Sequence, residues 1–289
     1  MTSPEPFDYQ RYLRSKRSVE ARCLNSHGWS ALADYVTGLG HRPVRILELG
    51  AGVGSMALRF LEKFLHPNVD YTIVDASIPS LAAARAELLP HNRGWTFDFG
   101  SADIYDYLGQ HASERWDLLV CHALLDLLDL DTALPRFLAC LLPGGAFYFP
   151  ISYDGLTIFE PEGNADFERE LFAAYHRSMD QRRVGGQPPG DSRTGRHLLS
   201  ALPAAGAQVA AAGASDWVVI PQAGAYPADE AYFLACILQT IEEELSGSEN
   251  LDQPRLRDWL ALRRAQLGRA ELTFIAHQID IFGVVPRVE

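Results

Sequence analysis

Residues 44–55 read VRILELGAGVGS. Val44, Ile46, Leu47 and Leu49 make an apolar run of the kind that forms a strand buried on both faces. An acid, Glu48, interrupts it, and three alternating glycines follow at Gly50, Gly52 and Gly54. A helical spacing then starts with Ala57, Leu58, Leu61, Phe64 and Leu65. Strand, glycine turn and helix are the opening unit of an open α/β sheet that holds a nucleotide-like ligand. Glycine has no Cβ, so its backbone can approach such a ligand closely.

The spacing bears on which ligand. A dinucleotide fingerprint is G-x-G-x-x-G/A, with a pyrophosphate on the helix N-terminus. Here the pattern is G-x-G-x-G, followed by Ser55. Glu48, two residues before the first glycine, would repel a pyrophosphate and suits a cationic ligand end. The stretch YTIVDAS, 71–77, reads as a second strand ending at Asp75. That acid stands about 20 residues beyond the glycines, where a carboxylate can accept both hydroxyls of a ribose.

On ELGAGVG (48–54) and Asp75 the chain resembles the class I S-adenosylmethionine (SAM) dependent methyltransferases. The resemblance implies SAM as cofactor, with S-adenosylhomocysteine (SAH) as product. It implies a doubly wound, mostly parallel α/β sheet of seven strands whose last strand runs antiparallel. Glu48, Gly50, Ala51, Gly52 and Gly54 then belong to the cofactor site. Glu48 would set the glycine loop or attract the ligand's amino group. Asp75 takes the ribose diol, with Ala76 and Ser77 beside the adenine.

The family's third motif is imperfect here. In FDFGSADIYDY (97–107), Gly100-Ser101-Ala102 stands where Gly-Asp-Ala is usual. Contact with the adenine amine falls to Ser101, next to Ala102, or to Asp103 two positions on; Asp103 as a solvated surface acid stays an open alternative. Serine accepts a hydrogen bond less strongly than a carboxylate. The fourth motif falls on CHALLDLLDL (121–130). Cys121 and His122 sit at the carboxyl end of the fourth strand, in the crevice where such sheets bind ligands. His122 is the best-placed titratable side chain for taking a proton; packing on the cofactor or capping the next helix is its alternative role. Asp126 reads as a surface or capping acid. Family members that methylate exocyclic amines often show Asn/Asp-Pro-Pro-Tyr/Phe at this place, and this chain does not. The expectation is a small-molecule acceptor with an O, N or S nucleophile. A catalytically silent SAM- or SAH-binding module and an NAD-dependent oxidoreductase are the competing readings.

Outward from this centre, the pattern predicts helices over 7–26 and 29–39. Strands follow at 44–49, 70–75, 95–99, 116–121 and 146–152, alternating with helices at 55–66 and from Pro79 to Leu88, with a leucine-rich helix after the fourth strand. Alternation of this kind implies a parallel sheet with right-handed crossovers. Pro143-Gly144-Gly145 reads as the turn into the fifth strand. The regular pattern pauses at 153–192, where 166–183 looks helical and Gly185, Gly186, Pro188, Pro189 and Gly190 form a loop. A helix at 195–204, a strand at 207–220 and a last strand at 271–285 complete the sheet, with amphipathic segments at 229–245 and 254–267 between them. The domain expectation is an N-terminal helical cap at 1–39 and a SAM-binding core at 40–152. A substrate-cap insertion at 153–192 and completion of the core at 193–289 follow, the latter carrying a helical insertion at 221–268. Loops beyond strand ends are where such folds place specificity.

Further candidates follow from these additions. Tyr153 ends the fifth strand and can line an acceptor pocket. His176 lies on a helix face with Phe172, Met179 and Arg183. Tyr12 and Arg17, with Lys16, can close over the cofactor and meet its carboxylate. His277 and Gln278, inside the last strand, read as structural.

Composition bounds the rest. At 289 residues and 47% hydrophobic content the chain fits a globular protein. No apolar run is long enough to span a bilayer, and the first residues lack the apolar core of a signal peptide. Four scattered cysteines (Cys23, Cys121, Cys140, Cys236) favour reduced thiols in a cytoplasm over disulfides or a zinc site. The nine histidines show no metal-ligand spacing, so no metal is expected. A net charge of −12 argues against a nucleic-acid partner, which needs a basic surface. Nothing in the sequence fixes the oligomeric state.

Overall fold

The computed structural model describes residues 7–63, 66–92, 94–183 and 189–287. Phe64 and Leu65 of the expected helix, and Gly185, Gly186 and Pro188 of the expected loop, lie outside them. The chain opens with α1 (Tyr9–Ser15), α2 (Arg17–Cys23) and α3 (Ser26–Gly38). The alternation follows: β1 (Val44–Leu49), α4 (Ser55–Lys63), β2 (Val69–Asp75), α5 (Ile78–His91), β3 (Thr96–Ser101), α6 (Ile104–Gln110) and β4 (Trp116–Val120). A single 3-10 turn, Leu125–Leu127, leads to α7 (Leu130–Ala139) and β5 (Leu141–Glu160). Then come α8 (Ala165–Gln181), α9 (Thr194–Ala204), β6 (Gln208–Ala214) and β7 (Trp217–Val219). The described chain closes with α10 (Glu230–Leu245), α11 (Gln253–Gly268) and β8 (Thr273–Val284).

These elements divide into two compact units. The larger comprises Leu24–Asp154, Arg193–Ser215 and Gln278–Glu289; the smaller comprises Met1–Cys23, Gly155–Ser192 and Asp216–His277.

In the larger unit the strand order is β3-β2-β1-β4-β5-β8-β6. β1 pairs in parallel with β2 and β4, β2 with β3, and β4 with β5, while β6 runs antiparallel to β8. The sheet is therefore mostly parallel with an antiparallel end, as the resemblance implies. Strand periodicity explains its two covered faces. On β1, Val44 and Ile46 point to one side, where they join Leu32, Val36, Phe60, Leu81 and Leu88 of α3, α4 and α5. Leu47 and Leu49 point to the other and pack with Leu108, Leu134, Phe137 and Leu198 of α6, α7 and α9. Successive strand side chains alternate faces, so an unbroken apolar run is what a sheet covered on both sides requires.

Besides the length of β5, which runs on to Glu160 past the expected end at 152, three features differ from the sequence expectation. Among the described residues the sheet has eight strands rather than seven, because the expected strand 207–220 breaks at Ser215 and Asp216 into β6 and β7. β7 pairs antiparallel with the Phe274–Ala276 stretch of β8, within the smaller unit. Secondly, Pro143-Gly144-Gly145 does not precede the fifth strand but lies inside it. Between Trp116 and Leu118 of β4, the partners on β5 jump from Leu141 to Ala146. The proline and glycines are thus a bulge, with Gly144 N donating to Val285 O at 3.0 Å and Val285 N to Gly145 O at 2.8 Å. Thirdly, the expected helix 7–26 is two helices meeting at Lys16. No Gly or Pro marks that junction.

In the smaller unit, a buried guanidinium organises α8 and α11. Arg263 pairs with Glu168 and donates to Pro161 O at 2.6 Å and Gln266 Oε1 at 2.9 Å. Trp259 Nε1 donates to the same Glu168 at 2.8 Å. Fully buried charges persist where they are paired and hydrogen-bonded in this way. No helix among the described residues is long and apolar enough to cross a membrane.

Candidate functional site

The register of the parallel strands places the candidate residues in one row. Leu49 pairs with Val74, Asp75 with Ser101, Glu48 with Val120, and Val120 with Tyr148. Continued by one or two residues, this register brings Ser101, Asp75, Gly50, His122 and Pro150 of five adjacent strands to one level, the first four at or just past the ends of β3, β2, β1 and β4 and Pro150 inside β5. This is the carboxyl edge of the sheet. The order of connections switches between β1 and β4, which is where open α/β sheets bind ligands. Parallel strands lie about 4.8 Å apart, so the row spans roughly 19 Å.

Asp75 organises the row's centre. Its Oδ2 accepts Gly52 N at 2.7 Å and its Oδ1 accepts Ser77 N at 2.8 Å. It therefore ties the glycine turn to the start of α5, where Ser77 caps the helix by accepting Ser80 N. Each carboxylate oxygen has a second lone pair, and Asp75 is only half-buried. It can hold the loop and still accept a diol. Beside it Ala76 is exposed, and Ile78 is 70% exposed. The sequence expectation does not include Ile78, whose only signal is an apolar residue just after a strand-end acid.

The glycine turn is left-handed at all three glycines, with φ of +65° at Gly50, +56° at Gly52 and +73° at Gly54. Ala51 N anchors the turn to Val74 O at 3.1 Å. At Gly50 the neighbour is decisive, since an added Cβ would stand 2.7 Å from Leu124 Cδ1. The residue after β1 must be small because the loop after β4 packs on it. Gly50→Ala should therefore cost about 1–2 kcal/mol for the left-handed conformation, plus the displacement of Leu124. Chemical denaturation should show this as a lowered midpoint. Gly109→Ala, in α6 with nothing within 4 Å, should leave the midpoint unchanged or raised.

Glu48 is enclosed by the fold. It is 0% exposed and faces the same side as Ile46, and it accepts the Tyr71 hydroxyl at 2.6 Å on Oε2. Burial pushes its carboxyl up to about 8, and the Asp75 charge adds to this, against the opposing hydrogen bonds of Tyr71 and the Ala57 N–H. Burial thus favours its neutral form, which answers a cationic ligand less well than a carboxylate would. Setting the loop, the other expected role, is the one its position supports.

The third motif resolves in part. Ser101 is exposed at the end of β3, and Ala102 N donates to Asp75 O at 3.3 Å. Asp103 is the N-cap of α6, with Oδ1 accepting Tyr105 N at 2.8 Å and Asp106 N at 3.4 Å. Its Oδ1 thus caps the helix, as an N-cap acid usually does. At Gly100 a Cβ would meet Tyr107 Cε2 at 2.8 Å, so close packing of α6 requires that glycine.

Beyond β4, Cys121 is buried and burial holds its thiol well above the usual range. Such a thiol is a poor nucleophile. His122 is half-buried beside Gly50 in the row. Tyr153 is half-buried near the end of this unit's part of β5. Two non-glycine residues here adopt left-handed backbone, Ala123 (φ +50°) and Ile151 (φ +59°). For a β-branched residue this is a rare conformation, costing of order 1–3 kcal/mol. The sequence expectation includes neither, nor Asp280, the acid that meets Ile151.

Three candidates belong to the smaller unit. Tyr12 stacks on Phe233 with ring centroids 6.1 Å apart, and Arg17 is half-buried on α2. His176 is half-buried on α8 next to Tyr175. Lys16 lies 3.3 Å from Glu20. Burial alone would lower its amine, but the Glu20 carboxylate together with Tyr12 and Tyr9 outweighs this and holds it above its ordinary value. Its charge is therefore already answered. His277 meets Asp216 at 2.7 Å. A cleft of about 290 Å³ between α6 and α7, lined by Tyr105, Leu108, Arg115 and Arg136 among others, takes in none of the candidate residues.

Comparison with known proteins adds one family. Residues 47–147 match the model described as a methyltransferase domain. No protein of curated function matches the sequence. Among solved structures, similar chains include a SAM-dependent methyltransferase from Thiobacillus denitrificans in complex with SAH (15% identity, 99% of this chain and 100% of that one, TM-score 0.47). Another is a SAM-dependent methyltransferase from Geobacter sulfurreducens, also in complex with SAH (15% identity, 95% and 98%, TM-score 0.45). A third is the protein YjhP from E. coli (14% identity, 96% and 99%, TM-score 0.47).

Proposed function

We propose that this chain, which carries a methyltransferase domain across residues 47–147, takes its methyl group from SAM and passes it to a small-molecule O, N or S nucleophile. The observation that carries this reading is the row of strand ends, with Asp75 bonded to both Gly52 and Ser77. A row of roughly 19 Å suits an extended nucleoside with an amino-acid tail. Asp75 faces the ribose diol, with Ala76, Ser77 and the exposed Ile78 beside the base and Ser101 at its amino edge. The glycine turn, with Ala51, lies along the tail.

When bound, SAM supplies a methyl already activated by the sulfonium. What remains for the protein is alignment and exclusion of water. Proximity and orientation can lower the barrier by about 7–11 kcal/mol. His122, in the row between Gly50 and Pro150, is the candidate base for an acceptor that must lose a proton; Tyr153 and His176 are candidates for holding the acceptor. The segments 153–192 and 221–268, with Tyr12 and Arg17 of the N-terminal helices, are the candidates for selecting the substrate.

A methyl-transfer screen tests this. Protein and methyl-labelled SAM are incubated with a metabolite library and with DNA and RNA. Label should move to a small molecule, and His122→Ala should then slow that transfer about 10²-fold. Label on nucleic acid alone would refute the acceptor class. Full turnover in His122→Ala would remove the base.

A further inference from the structure

Asp280 is an acid inside an apolar strand, between Ile279 and Ile281, and is 0% exposed. Its partners are mainly backbone. Oδ1 accepts Ile151 N at 2.7 Å. Oδ2 accepts Asn25 N at 2.8 Å, with the Tyr148 hydroxyl at 3.3 Å. Ile151 is the β-branched residue with φ of +59°. Its neighbour Pro150 occupies the row beside His122, and Pro150 O accepts Ala123 N at 3.1 Å. Ala123 is the other left-handed residue. The chain of bonds therefore runs from Asp280 to Ile151, along the peptide to Pro150, and across to the residue after His122. Every member belongs to the larger unit.

A strained backbone persists only where its surroundings over-determine it. A buried carboxylate that accepts two main-chain N–H groups is such a surrounding, because these charge-assisted bonds are stronger than neutral ones. Asn25 adds a further fixed point. It caps α3 through Oδ1, which accepts Gly28 N at 3.0 Å. Asp280 therefore holds the strained middle of β5 at Ile151 against the start of α3.

We propose that Asp280 is a positioning residue for the methyl-transfer site, fixing His122 through Ile151, Pro150 and Ala123. It touches neither cofactor nor substrate. The site role of His122 rests on the methyltransferase reading; the linkage from Asp280 to His122 does not. Asparagine at 280 keeps the shape but replaces one accepting oxygen with an NH₂ donor, so one of the two main-chain N–H groups loses its acceptor. Glycine at 151 adopts the left-handed conformation without a side-chain penalty, so it should make the lock dispensable.

The test uses the full chain labelled at histidine, with the His122 ring signal assigned from His122→Gln. Signals are compared in wild type, Asp280→Asn, Ile151→Gly and the double variant, each without ligand and with SAH. Asp280→Asn should shift the His122 signal while leaving His66, His91 and His111 in place. The double variant should return His122 toward its wild-type position. A merely structural Asp280 would lower the melting temperature with His122 unmoved, and that result overturns the proposal. A shift in Asp280→Asn that Ile151→Gly fails to reverse also overturns it. If Asp280→Asn alone does not fold, folding of the double variant with a wild-type His122 signal supports the lock, and failure of the double variant to fold overturns it. Absence of any SAH effect on the wild type would instead count against the methyltransferase reading, leaving the ligand-free comparison to decide on Asp280.

Discussion

Asp75→Ala is expected to weaken SAH binding about 10³-fold, because hydrogen bonds to a charged acceptor contribute about 1.5–3 kcal/mol each and every 1.4 kcal/mol or so is tenfold in affinity. Two effects combine. The diol loses its acceptors, and Gly52 N and Ser77 N lose the carboxylate that joins the glycine turn to α5. Asp75→Asn keeps one oxygen and should lose less. The half-exposed position lets water replace the missing carboxylate in the free protein, so the melting temperature should change little. Calorimetric titration of SAH into both variants measures the first effect, and thermal unfolding the second. A Kd in Asp75→Ala equal to that of the wild type would contradict the role assigned to this residue.

Glu48→Gln should stabilise the protein in a pH-dependent way. The folded-state pKa of Glu48 is raised to about 8, while an unfolded glutamate titrates near its ordinary value of about 4.3. Below that value both states hold the proton and Glu48 costs nothing. As pH rises toward 8 the unfolded chain releases the proton and the folded one retains it, so stability is lost across that window. The loss is on the order of a few kcal/mol by pH 8. Glutamine never ionises, and its oxygen can still accept the Tyr71 hydroxyl. The variant and wild type should match near pH 4.5 and diverge progressively up to pH 8, the variant being the more stable. Denaturant midpoints measured across that range check this. Parallel curves would show that Glu48 is already ionised when folded.

The legible parts of the fold were those with strong local chemistry. β1 to β4 were set by short apolar runs bounded by glycine, proline or acids, and Asp75 by its place at a strand end. The illegible parts depended on partners far away in sequence. Pro143-Gly144-Gly145 carries every mark of a turn, yet pairing with Val285 keeps it inside β5 as a bulge. The junction at Lys16 has no breaker residue. The split between β6 and β7 falls at Ser215-Asp216, ordinary polar residues in an alternating strand. The strand-end position of Glu48 is plain in the sequence, but the rise in its pKa follows from burial beside Tyr71, which no local pattern encodes. Asp280 had a readable signal, a lone acid between two isoleucines in a buried strand. Its partners Ile151 and Asn25 could only be found in three dimensions.

The central claim is that the carboxyl edge of this sheet binds a sulfonium nucleoside. Calorimetric titration of the unaltered chain with SAH, and separately with NAD, tests it most directly. Saturable heat at one site per chain is expected with SAH, and none with NAD. No heat with SAH, or saturable binding of NAD in its place, would contradict the claim.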